Sequence, residues 1–194
     1  EGGAMFAAQG MGSPLHASDS QYVFNDASVI DNLATVIMGP NSGGKTTWLK
    51  DLITNWMLAQ IGSRSFVRSG SFSPARRIAF SAPAQNNSNS VHGRCGEELA
   101  WVRPELDAGV SDRSVFVFDE IGSGTAERAS APIAIDLIKT FKALQARVVI
   151  ATHNLSLREA LEEAQLPVHS LHPEILVLTL PDGSIEAESN HCIK

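Results

Sequence analysis

Three groups of residues in this chain have types and spacing suited to chemistry on a phosphate. The first is Gly39-Pro40-Asn41-Ser42-Gly43-Gly44-Lys45-Thr46, a glycine, four residues, then Gly-Lys-Thr. Gly43 and Gly44 lack a Cβ, so the backbone can curl and aim its N–H groups at phosphate oxygens. Lys45 can bridge the β- and γ-phosphates of a nucleotide, and the Thr46 hydroxyl can ligate Mg²⁺. The second group is Asp119-Glu120, at the end of the apolar run Val115-Phe116-Val117-Phe118. Asp119 would join the Mg²⁺ shell, and Glu120 is placed to polarise an attacking water. The third is His153, which follows another apolar run. A lone histidine is usually structural, but this one shares its strand-end placement with Asp119, which favours sensing of a γ-phosphate.

Each group needs an element to carry it. Residues 34–38 are apolar and β-branched and predict a buried strand before the glycine-rich loop. Residues 47–60 predict an amphipathic helix with Trp48, Leu52, Trp56 and Ala59 along one side, ended by Gly62. Strand, loop, helix is the context in which such a loop binds phosphate, because the helix start adds its positive end. Residues 115–118 and 147–152 predict the strands that deliver Asp119 and His153. Between them residues 130–145 predict a helix with Pro132 in its first turn and Ile133, Leu137, Ile138, Phe141 and Leu144 as its buried stripe. Elsewhere, residues 22–26 read as an early strand whose aromatic could stack on an adenine or be half-buried. Residues 63–73 read as a mobile surface connection, 78–80 as a short strand and 81–94 as a polar loop. Residues 96–102 read as a helix closed by Pro104, and 155–164 as a short helix. Residues 175–180 and 185–188 read as a hairpin joined by Pro181-Asp182-Gly183-Ser184. The fold class expected is α/β, a phosphate-loop NTPase fold with a mostly parallel sheet flanked by helices and a β-hairpin edge.

The 194 residues suit one well-packed domain. A net charge of −6 does not announce a nucleic-acid surface. Two cysteines are too few for a disulfide framework, and a reducing, cytoplasmic setting is expected. No apolar run approaches membrane-spanning length, so no membrane contact is expected. Residues 1–13 read as a flexible N-terminal segment or a cloning remnant, and residues 14–194 as the domain.

Taken together, Gly39 to Thr47, Asp119-Glu120-Ile121-Gly122-Ser123-Gly124-Thr125, Ala151-Thr152-His153-Asn154 and, more weakly, Tyr22-Val23-Phe24-Asn25-Asp26 resemble the ATPase domain of the MutS-type DNA mismatch-repair family, within the wider ABC-type ATPases. The resemblance implies binding and hydrolysis of ATP with Mg²⁺, with Lys45, Glu120 and His153 in catalytic roles. Nucleotide would be held by Gly39, Pro40, Asn41, Ser42, Gly43, Gly44, Lys45, Thr46 and Thr47, and metal by Thr46 and Asp119. The adenine-stacking aromatic maps onto Tyr22. The resemblance also implies a homodimer with each nucleotide between two subunits. The partner would add a serine from a signature loop that maps to residues 88–96, Ser90 being the choice; the loop reads Ser90-Val91-His92 where relatives have Ser-Thr-Phe. DNA would be contacted only through domains absent from this chain. Two alternatives are another ABC-type ATPase, whose Leu-Ser-Gly-Gly-Gln signature is absent ahead of Val115, and a nucleotide-gated dimerisation module with little turnover. A phosphotransferase would need an acceptor pocket and a lid, for which residues 64–77 are the only region available.

Overall fold

A computed structural model describes residues 4–16, 22–82, 93–122, 127–179 and 185–194. Its centre is a five-stranded parallel sheet built from β3 (Ala34–Met38), β5 (Arg77–Ser81), β6 (Ser114–Asp119), β7 (Arg147–Thr152) and β8 (Val168–Leu171), in the order β5-β6-β7-β3-β8. β3 and β6 are buried along their whole length and β7 from Val148 onward, which explains why they read as continuous apolar runs rather than alternating ones. Alternate residues serve two cores. Val36, Phe116, Phe118, Val148 and Ile150 face α3 (Glu127–Ala143) and α4 (Ser156–Glu163), while Ile37, Val115, Val117 and Val149 face α1 (Lys45–Gln60). α2 (Gly93–Asp107) joins the first core through Val102.

A second, antiparallel sheet covers the far side of α1. It pairs β2 (Asn25–Ile30), β1 (Ala4–Met11) and β4 (Ser69–Phe72), in that order. The helix is therefore buried on two sides instead of along one stripe. Trp48 and Trp56 are both buried, and each indole N–H donates outward, to the Asp26 and Ser73 carbonyls at 3.1 Å. The Phe6 ring packs on Trp56 with centroids 5.1 Å apart. Asn55, fully buried, donates to the Gly12 carbonyl at 2.8 Å and accepts the Phe66 N–H at 2.6 Å. A third unit is the antiparallel hairpin of β9 (Pro173–Thr179) and β10 (Ile185–Ile193).

Several expectations change. Residues 1–13 contain β1, whose Met5, Phe6, Ala8 and Met11 are core residues, so Ala4–Met11 is a strand and not a flexible segment. Tyr22 and Phe24 precede β2 rather than forming it. Residues 63–73 include β4, which pairs with β1. Pro104 lies inside α2, and Pro132 lies beyond the first turn of α3; both prolines are exposed. β8 had no counterpart in the sequence reading. No helix among the described residues is long and apolar enough to cross a membrane, and Cys192 carries a free thiol.

Candidate functional site

The sheet order makes β6, β7 and β3 consecutive neighbours. Their carboxyl ends therefore meet at one edge, where open parallel sheets place ligands. Two backbone bonds fix the exits. Gly39 donates to the Thr152 carbonyl at 3.1 Å, and Glu120 donates to the Ala151 carbonyl at 2.9 Å. The three residue groups of the sequence thus converge.

Within the loop, Gly44 has φ +78, a left-handed conformation that glycine adopts freely, and it caps the start of α1. Gly39 and Gly43 answer to a different constraint. A Cβ on Gly39 would lie 2.5 Å from Pro173 Cδ, and one on Gly43 would lie 2.6 Å from Pro173 Cγ. Gly43 donates to the Pro40 carbonyl at 3.0 Å, closing a tight turn. Pro40, Asn41, Ser42 and Thr46 are exposed, and Thr47 is half-buried.

Lys45 is 3 % exposed, and its Nζ donates to the Gly39 and Pro40 carbonyls at 2.8 and 2.7 Å. Burial lowers its pKa, opposed by the nearby carboxylates of Glu120 and Asp119. Thr46 Oγ1 donates to Asp119 Oδ2 at 2.8 Å. Asp119 is buried, and its Oδ1 has no hydrogen-bond partner among the described residues. Burial raises the Asp119 carboxyl above its ordinary value, with Thr46 pulling down and Glu120 pushing up. An acceptor-only oxygen left bare in a buried position fits a hard cation, which seeks one or two carboxylates and a hydroxyl and completes its shell with phosphate and water. No cluster of three or more acidic, cysteine or histidine ligands occurs among the described residues, so a cage built wholly from such side chains is not offered there.

Glu120 adopts φ +59, in the left-handed region that a non-glycine residue enters at a cost. Its carboxylate Oε1 meets His153 Nδ1 at 3.1 Å. Next to His153, buried Asn154 is held on both sides. Its Nδ2 donates to Ser130 Oγ at 2.6 Å, and its Oδ1 accepts from the Ser156 backbone and hydroxyl, starting α4.

Beside the loop lies a cavity of about 180 Å³ lined by His16, Tyr22, Val23, Asn25, Gly44, Thr47 and His191. The Tyr22 ring stacks on His16 at 5.2 Å and meets Phe24 edge-on at 5.4 Å. Its hydroxyl donates to buried Asp51 on α1. Burial and the Asp51 carboxylate raise the phenol, and burial raises Asp51. No sequence expectation covers His16, His191 or Pro173. Only the fold brings the last two back from more than a hundred residues away, and no local pattern marks them. Ser90 and the Ser123-Gly124-Thr125 turn lie outside the described residues.

Comparison with known proteins gives a consistent result. The family model "MutS domain V" matches residues 35–180. The chain is 31% identical over 138 residues to "DNA mismatch repair protein MutS" of Prochlorococcus marinus (strain MIT 9301), covering 70% of this chain and 15% of that protein. It is 30% identical over 139 residues to "Endonuclease MutS2" of Latilactobacillus sakei subsp. sakei (strain 23K), covering 69% of this chain and 17% of that protein. It is 26% identical over 162 residues to "MutS protein homolog 4" of Mus musculus, covering 81% and 16%. The chain thus matches under a fifth of the length of each of these relatives.

Proposed function

We propose, from the premise that this chain belongs to the MutS domain V family, that its strand-end site binds ATP with Mg²⁺ and hydrolyses it. The chain would serve as the nucleotide-handling domain, of phosphate-loop NTPase fold, in a MutS-like DNA mismatch-repair or DNA-processing protein. One observation carries the reading. Three neighbouring parallel strands bring a Gly-Lys-Thr loop, a buried carboxylate with a bare oxygen and a paired Glu–His to one edge. Thr46 and Asp119 are the residues that would hold Mg²⁺, which supplies charge neutralisation at phosphate oxygens.

The chain's own groups account for the rest. Lys45 exchanges its bonds to the neutral Gly39 and Pro40 carbonyls for anionic phosphate oxygens, where donor and acceptor are both charged. The first N–H groups of α1 face the same charge. Glu120 takes a proton from water as the water oxygen bonds to the γ-phosphorus. The bond from that phosphorus to the β–γ bridging oxygen breaks, giving ADP and inorganic phosphate. His153 holds the Glu120 carboxylate in place for this step. The cavity beside Gly44 and Thr47 receives the adenine, with Tyr22 as its aromatic wall. A homodimer through the ATP site, with Ser90 of one subunit completing the site of the other, belongs to the same reading. DNA contact falls to other parts of such a protein.

Phosphate release in the presence of ATP and Mg²⁺ tests the assignment. Glu120→Gln keeps side-chain size but cannot accept the proton, so turnover should fall by about 100-fold or more while ATP stays bound. Wild-type turnover in that variant would remove Glu120 from the role.

A further inference from the structure

We infer that Pro173 is a positioning residue for the phosphate loop, and that docking of the β9–β10 hairpin sets how tightly that loop holds nucleotide; the inference rests on the ATP reading of the loop. The three atoms nearest to a Cβ built on Gly39 all belong to Pro173, at 2.5, 2.7 and 3.8 Å. The same ring stands 2.6 Å from the Cβ position of Gly43. Gly39 is also tied to β7 through the Thr152 carbonyl. The loop is thus pinned to the sheet on one side and braced by the pyrrolidine ring on the other.

The hairpin that carries the ring is itself anchored away from the loop. His172 and Lys194 exchange backbone bonds at 2.8 and 3.0 Å. The Ile193 N–H donates to Asn25 Oδ1 at 2.6 Å, and Asn25 Nδ2 donates to the His191 carbonyl at 3.2 Å. Ile193 is buried in the same core as Trp48 and Leu49 of α1. On its inner side the hairpin places His191 3.4 Å from the Cβ position of Gly44. Hairpin and loop therefore share contacts at Gly39, Gly43 and Gly44. Close-packed groups have few intermediate arrangements, so displacing one displaces the other. A rigid ring loses little freedom on packing, and a loop held ready does not have to be ordered when ligand arrives. Glu120 and His153 stand on β6 and β7 exits, so removing the brace should weaken binding and spare saturated turnover.

The test compares wild type, Gly39→Ala, Pro173→Ala and the double variant, each checked for folding by thermal melt. Pro173→Ala should raise the dissociation constant for Mg·ATP by about tenfold and leave the rate at saturating ATP within about twofold. Gly39→Ala should bind more weakly than Pro173→Ala because its methyl meets the ring, and the double variant should return to the affinity of Pro173→Ala alone. A methyl that obstructed the phosphate itself would not be rescued this way. Hydrogen exchange without nucleotide supplies an independent reading: Gly39→Ala should speed exchange of the His172, Ile193 and Lys194 amides. Wild-type affinity in Pro173→Ala, an unrescued double variant, or unchanged hairpin exchange in Gly39→Ala would overturn the inference while leaving ATP binding by wild type intact. Failure of wild type to bind Mg·ATP would overturn the site reading instead, and the coupling of hairpin to affinity with it.

Discussion

Glu120 shows how much the site asks of single residues. At φ +59 it holds a conformation that costs a non-glycine side chain about 1–2 kcal/mol. The Ala151 carbonyl bond fixes its backbone, and His153 fixes its carboxylate. Asp119 is strained electrostatically instead. Burial raises its pKa, so the folded chain holds that proton more tightly than the unfolded chain does. The contribution of this group to stability is therefore greatest in acid and falls as pH rises from the unfolded value through the folded one. Asp119→Asn carries no charge to desolvate. It should melt at the same or a higher temperature than wild type at neutral pH, with the gap closing in acid, while losing Mg²⁺-dependent nucleotide binding. Thermal melts across that pH range, with and without Mg·ATP, check both halves; a large drop in melting temperature at neutral pH would contradict the account. The strand-end placement of these groups was legible because the Gly-Lys-Thr loop, Asp119-Glu120 and His153 each come after an apolar run. Two placements were not. No sequence pattern marks Lys45 as buried against its own loop, where its ammonium meets the Gly39 and Pro40 carbonyls. Tyr22 was expected within a strand, yet it stands before one with its hydroxyl on Asp51.

At the scale of elements, the strands that form the centre of the parallel sheet were readable because both faces are buried and their residues are β-branched or aromatic. β1, β4 and β8 were not. β1 reads Ala-Met-Phe-Ala-Ala-Gln-Gly-Met, small and glycine-bearing, and its pairing partners lie elsewhere in the chain. β4 is an exposed Ser-Gly-Ser-Phe edge, and β8 is four residues long. Tertiary pairing supplies what intrinsic preference does not. The helix ends failed for a related reason: Pro104 stops a helix only if nothing else holds it, and α2 packs onward through Leu106. Pro104 is exposed and leaves the Ala100 carbonyl without its helical donor. Pro104→Ala should stabilise the chain by about 1–2 kcal/mol, a helix gain partly offset by a freer unfolded chain. Denaturant titration reads this directly, and an unchanged or lower midpoint would show that the proline is built into the packing of α2.

At the scale of the whole molecule, α1 is the shared wall of two sheets, with its N-terminus at the glycine-rich loop and its tryptophans bonded to Asp26 of β2 and to Ser73 just after β4. Substituting Trp56 by Ala should therefore cost about 3–5 kcal/mol by opening a cavity between the two sheets, measurable by chemical denaturation. If ATP is held between two copies, slowing its hydrolysis should trap the pair, since ligand that binds only the paired state stabilises it by mass action. Glu120→Gln with ATP and Mg²⁺ should elute as a dimer by light scattering, while wild type returns to monomer as ATP is consumed; a monomeric variant that has lost turnover would keep the enzyme and discard the dimer. The most direct test of the central claim is titration calorimetry of Mg·ATP into wild-type and Lys45→Met chains. Methionine keeps the buried stem of Lys45 without the ammonium that would meet phosphate. Wild type should bind saturably, and Lys45→Met should show no detectable binding with its fold retained. Equal binding by both chains, or none by wild type, would contradict that claim.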